Sequence, residues 1–212
     1  EPAAVGMVGS RKPTEYGLRA AEDIGCGLAR AGAIVVSGLA DGLDSAGHRA
    51  AVQEHCPTIG VLGVPIDKTY PATNRELRRQ IEANGCVISE YPPESMAIGR
   101  VGFLQRNRLI AALSMALVVV EAQEKSGTMS TVAHAERYGK PVFAVPGSIY
   151  SPNSAGTNGL LREGRAGTAR YYVSDTTESF AQLSDWFLGE YAGGPVTRIS
   201  VDGYPVEQGA ST

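Results

Sequence analysis

A chain of 212 residues with 43% hydrophobic and 19% charged residues has the material for one large α/β domain, or for such a domain with a small appendage. A formal net charge of −3 and a pI of about 5.7 exclude a uniformly basic nucleic-acid-binding body, so any such binding must use a local basic patch. No apolar segment is long enough to cross a membrane, no signal-peptide pattern is visible, and the start at Glu1 without Met reads as an excised or processed piece.

Val5 to Val8 is a short apolar run that ends in Gly9-Ser10-Arg11. Thr14 can cap a following helix with apolar positions Leu18, Ala21, Ile24 and Leu28, and Gly32 ends it. Ala33 to Val36 predicts a second strand with Ser37-Gly38-Leu39-Ala40 as its exit turn, then a helix from about Ser45 to Glu54. Thr58 to Leu62 predicts a third strand, and Pro65 to Thr73 a loop with Tyr70-Pro71 in its middle. A helix over Asn74 to Asn84, basic through Arg75, Arg78 and Arg79, leads to a strand at Cys86 to Ser89. After the break at Pro92-Pro93, Phe103 to Arg108 lies at the start of a helix, and Ala116 to Val120 predicts a strand buried on both faces. Ser126-Gly127-Thr128 opens a helix that runs to Tyr138, Pro141 to Val145 is the next strand, and Asn158 to Glu163 a short helix. Tyr171 to Val173 reads as a last strand and Thr177 to Leu188 as an amphipathic helix.

Strands alternating with helices at this spacing predict an α/β fold with a doubly wound, mostly parallel sheet. It is expected to span residues 1–188, with 189–212 a linker and C-terminal tail, including a possible hairpin around Asp202-Gly203. Cys26, Cys56 and Cys86 form no Cys-x-x-Cys pair, and their even spacing reads as one small buried residue per βα unit in a reducing, cytoplasmic setting.

In such a sheet the strand ends and the first turns of the next helices line one crevice, where free backbone N–H groups and helix dipoles suit anions. Three glycine turns point there: Gly9-Ser10-Arg11, the turn holding Gly38, and Ser126-Gly127-Thr128. Phe103 and Arg106 share a helix face, so a ring can stack on a base while a guanidinium holds the adjoining phosphate. Asn107 and Arg108 continue this basic segment. The ligand is therefore a nucleotide or a nucleic-acid strand. There is no Gly-x-Gly-x-x-Gly fingerprint and no Gly-Lys-Ser/Thr loop, which disfavours an ordinary NAD or ATP site. His48, His55 and His134 fall in no metal-binding grouping, so no metal or other cofactor is expected. Asp44 and His48, one helical turn apart, read as a local hydrogen bond or cap, and Glu121 and Glu124 as solvated loop charges. No nucleophile–base pair stands out, so no enzyme is expected.

Gly9-Ser10-Arg11, Ser37-Gly38-Leu39-Ala40-x-Gly42-x-Asp44-x-x-x-His48, Tyr70-Pro71 with Asn74, Phe103-x-x-Arg106-Asn107-Arg108, Val119-Val120-Glu121-Ala122 and Gly156-Thr157-Asn158 occur in collinear order. In this the chain resembles the DNA processing protein A (DprA/Smf) family from about Ala4 to Gly164. The resemblance implies an extended Rossmann-like domain that binds single-stranded DNA, acts in DNA uptake and natural transformation, and loads the RecA recombinase as a homodimer without catalysis. It places the strand at Gly9, Ser10, Arg11, Phe103, Arg106 and Asn107. Asp41 departs from the basic or neutral residue usual there. Two other readings stand beside it. One is a nucleotide-binding sensor. The other is a phosphoribohydrolase-like enzyme, whose Pro-Gly-Gly-x-Gly-Thr-x-x-Glu motif is poorly matched by Glu124 to Thr131.

Overall fold

The computed structural model describes residues 2–96 and 99–169. Among the described residues, seven strands alternate with six α-helices: β1 (Ala4–Val8), α1 (Glu15–Arg30), β2 (Ile34–Ser37), α2 (Leu43–Gln53), β3 (Thr58–Leu62), α3 (Arg75–Asn84), β4 (Cys86–Ser89), α4 (Arg100–Leu113), β5 (Ala116–Val119), α5 (Thr128–Arg137), β6 (Val142–Ala144), α6 (Ala155–Arg162) and β7 (Gly167–Thr168). The strands form one sheet in the order β4-β3-β2-β1-β5-β6-β7, and each pairing is parallel. The fold is therefore a doubly wound, Rossmann-like α/β sheet. β1 pairs with β5 from Val5↔Ala116 to Val8↔Val119. The winding reverses between those two strands, and the crevice of such a sheet opens at that place.

The apolar runs form strands because they are buried on both faces. Val5 and Met7 of β1 pack with Val35 of β2 and with Ala21 and Leu28 of α1. Val8 faces the other way, with Val36, Val61, Leu117, Ile110 and Val132. A third cluster of Leu39, Leu62, Leu77 and Ile81 seats α3. Thr14 caps α1 as its position suggests, its hydroxyl accepting from the Gly17 N–H at 3.1 Å.

Several boundaries differ from the sequence-based expectations. α2 begins at Leu43, two residues before Ser45, because Gly42 at φ +79° turns the chain into the helix and buries Leu43. A Cβ on Gly42 would also stand 2.4 Å from the Ser10 carbonyl oxygen. α6 likewise begins at Ala155, ahead of Asn158. β7 is a two-residue strand pairing Phe143↔Gly167, in a stretch to which the sequence assigned no element. The cysteines are not buried plugs: Cys86 is exposed, and Cys26 and Cys56 are half-buried and free. The strand expected at 171–173, the helix at 177–188 and the tail at 189–212 lie outside the described residues.

Candidate nucleic-acid interface

The exits of β1, β2 and β3 and the start of α4 surround a cleft of about 280 Å³ open to solvent. Arg106 closes its floor. Its side chain reaches from α4 under the β2 exit and is only 4% exposed. Its Nη1 donates to the Gly38 carbonyl at 2.6 Å and to the Val61 carbonyl, and its Nε donates to Asn107 Oδ1 at 3.3 Å. Its Nη2 has no hydrogen-bond partner among the described residues. The glycine at 38 follows from this packing, because a Cβ there would stand 2.4 Å from Arg106 Nη1. Burial pulls the guanidinium down to about 10, Asp44 opposes that, and Arg11 adds to it. Arg106 stays protonated at neutral pH, and its charge is held largely away from water. Asp44, buried behind the same turn, is pushed up by desolvation and pulled back mainly by Arg106.

The wall is an aromatic and cationic stack. The Arg11 guanidinium lies 5.2 Å from the Phe103 ring centroid, and the Tyr70 ring sits 5.1 Å from it at 37°. Tyr70 is 51% exposed and joined to Pro71 by a cis peptide bond. Asp41 stands at the rim, its Oδ1 accepting from Thr73 Oγ1 at 3.2 Å.

Of the residues singled out in the sequence, Arg11, Gly38, Phe103 and Arg106 meet in this cleft. Gly9 and Ser10 lead into it. A Cβ on Gly9 would meet Leu43 Cδ1 at 2.4 Å, and the Ser10 carbonyl accepts from the Leu43 N–H at 3.1 Å. Asn107 faces the α5 turn instead, its Nδ2 donating to the Gly127 carbonyl at 3.1 Å and to Ser130 Oγ at 3.4 Å. Thr128 donates from its hydroxyl to the Gly9 carbonyl at 3.1 Å, so the third glycine turn is knitted to the first. Ser126 Oγ in that turn is buried without a hydrogen-bond partner among the described residues. Arg108 lies outside the cleft, in an ion pair with Glu90 beyond β4. Sequence reasoning left out Tyr70 as a cleft residue, although the Tyr-Pro pair between two regular segments marked it.

Two expectations about carboxylates and histidine are corrected. Glu121 is 1% exposed, not solvated. Its carboxylate accepts from the Thr14 N–H at 2.9 Å and from the Thr14 hydroxyl, across 107 residues of sequence. Gly17 makes room for it, since a Cβ there would come within 2.4 Å of the carboxylate. The N-terminus of α1, the usual anion seat of a doubly wound fold, therefore holds the protein's own anion. His48 is fully buried, and its Nδ1 meets Thr58 Oγ1 at 2.8 Å, not Asp44. Thr58 donates its hydroxyl proton to the Val35 carbonyl at 2.7 Å, so His48, Thr58 and Val35 form one buried polar chain. Burial pulls His48 down to about 3 and keeps it neutral. Glu124 is exposed. No group of three or more His, Cys, Asp or Glu among the described residues could hold a metal ion, and none of their helices is long and apolar enough to cross a membrane.

A doubly wound parallel sheet with a buried guanidinium beside an aromatic stack at its strand exits places the chain in the Rossmann-like class. The chain belongs to the DNA recombination-mediator protein A family, whose profile matches residues 1–181. It is 45% identical over 163 residues to the putative DNA processing protein DprA of Mycobacterium tuberculosis, covering 77% of this chain and 42% of that one. The DprA structure from Streptococcus pneumoniae superposes with a TM-score of 0.72 at 38% identity, covering 79% of this chain and 58% of that one. DNA processing protein A from Helicobacter pylori, described for its single-stranded DNA binding mode, gives 0.75 at 34% identity, covering 86% of this chain and 80% of that one. Against its curated relatives the chain matches about two-fifths to just over half of their length.

Proposed function

We propose that this chain binds single-stranded DNA in the cleft between the β2 exit and α4. The observation that carries the reading is Arg106, a guanidinium almost wholly buried whose Nη2 end has no hydrogen-bond partner among the described residues, beside a solvent-open cleft. A buried cation with a free donor calls for an anion, and a strand phosphate supplies one. Arg11 takes a neighbouring phosphate oxygen, and the Arg11–Phe103–Tyr70 stack offers planar surface to a base. Gly9 and Gly38 shape the cleft by letting Leu43 and Arg106 pack beneath their turns, and Ser10 leads into it. Asn107, Ser126, Gly127 and Thr128 shape the neighbouring turn, and Arg108 meets only a strand long enough to leave the cleft. The single-stranded DNA binding described for the Helicobacter pylori relative supports the reading. Hand-over of the strand to a RecA-type recombinase during DNA uptake, and homodimerisation, are the wider role proposed on the family's account.

Fluorescence anisotropy with a labelled oligo-dT of about twenty nucleotides, across a salt series, tests it on the chain and on Arg11→Ala. Saturable binding that weakens with salt and falls at least tenfold in the variant is expected. No binding at low salt by the folded chain overturns the reading, and competition by mononucleotides alone would replace it with a nucleotide sensor.

A further inference from the structure

The cleft has a chemical asymmetry that phosphate binding does not account for. Arg11 and Arg106 form its cationic side, yet Asp41 lines the same cleft and is exposed to it. A carboxylate repels phosphate, so Asp41 lies off the path of a strand's backbone. Its surroundings suit a base instead. Thr73 fixes Oδ1 through its hydroxyl, and Oδ2 has no hydrogen-bond partner among the described residues. Thr73 lies three residues after Tyr70, so one short loop carries both the exposed ring on which a base can lie and the hydroxyl that holds the carboxylate.

Resting on the single-stranded DNA reading, we infer that Asp41 reads the edge of the bound base and selects bases that present an exocyclic amino group over thymine or uracil. An ionised carboxylate only accepts hydrogen bonds. Cytosine N4, adenine N6 and guanine N1 with N2 all offer donors, and the carboxylate–cytosine N4 pair is an established form of base recognition. Thymine and uracil turn carbonyl oxygens to the same position and leave one N3–H as their sole edge donor. Two acceptors facing each other repel, so Asp41 discriminates both by attraction and by rejection.

The test compares oligo-dC with oligo-dU, about twelve nucleotides each. The two bases have the same outline and no methyl group, and differ at N3 and the position 4 substituent. Competition anisotropy is run on the chain, on Asp41→Asn and on Arg11→Ala. The chain is expected to bind oligo-dC about tenfold more tightly than oligo-dU. Asp41→Asn, whose amide both donates and accepts, is expected to bring the ratio near one, largely by tightening oligo-dU. Arg11→Ala is expected to weaken both and keep the ratio. Equal affinity in the chain, or a preference that survives Asp41→Asn, overturns the inference and leaves strand binding standing. Failure of the chain to bind either strand overturns both.

Discussion

Arg11 and Arg106 reach the same cleft by opposite means. Arg11 is exposed and rests on an aromatic ring, whereas Arg106 is built into the floor. Their alanine variants should therefore separate. Arg106→Ala strips hydrogen bonds from the Gly38 and Val61 carbonyls and leaves Asp44 buried without its main counter-charge. Denaturant unfolding should show a loss of about 3 kcal/mol. Arg11→Ala should cost less than about 0.5 kcal/mol in the same measurement while weakening strand binding. His48 gives a pH signature. Its folded value of about 3 lies below its unfolded 6.5, so on acidification the unfolded chain takes up a proton that the folded chain refuses. The stability from neutral His48 is full above the unfolded value and falls as pH drops through the window between the two. That is a loss of roughly 2 kcal/mol by about pH 5. His48→Gln should flatten this slope, read as unfolding midpoint against pH, even where it lowers stability throughout.

Among the elements, α1 depends on a residue from the far side of the reversal point. Glu121, just past β5, caps α1 through Thr14. Glu121→Ala should lose about 2 kcal/mol by thermal unfolding, and Glu121→Gln, which still accepts from Thr14, clearly less. This cap also shows where sequence reading stops. The strands at Thr58–Leu62 and Cys86–Ser89 and the Thr14 cap were legible because each is written in a contiguous pattern. Glu121 was not, because its partner Thr14 lies 107 residues away, and its trace near that partner is the glycine at 17 in the first turn of α1. β7 left no trace either. Gly167 and Thr168 carry no apolar alternation and become a strand only by pairing with β6. The cleft was half legible. Arg106 and Phe103 announced a shared face, but nothing local says that one is floor and the other wall, or that Asn107 turns to the α5 turn.

At the scale of the whole molecule, a net charge of −3 means that the strand binding proposed would rest on a local basic patch such as Arg11 and Arg106. Counterion release counts phosphates neutralised, not net charge, so the slope of log affinity against log salt should be shallow, about 0.7 per phosphate. Removing Arg11 should reduce its magnitude by about that amount, which titrations at four or more salt concentrations would resolve. A slope unchanged in Arg11→Ala would place the strand elsewhere on the surface.

Arg106 is immobilised before any ligand arrives, pinned by two carbonyls and packed against Gly38. Freezing a long side chain costs up to about 2 kcal/mol of rotamer entropy, and here that loss belongs to folding. Association at this cleft then orders the strand far more than the protein, and its thermodynamics should report the strand's own stiffness. A stacked, already ordered oligonucleotide should bind with a smaller entropic penalty than a floppy one of equal charge, a contrast that calorimetry would read directly.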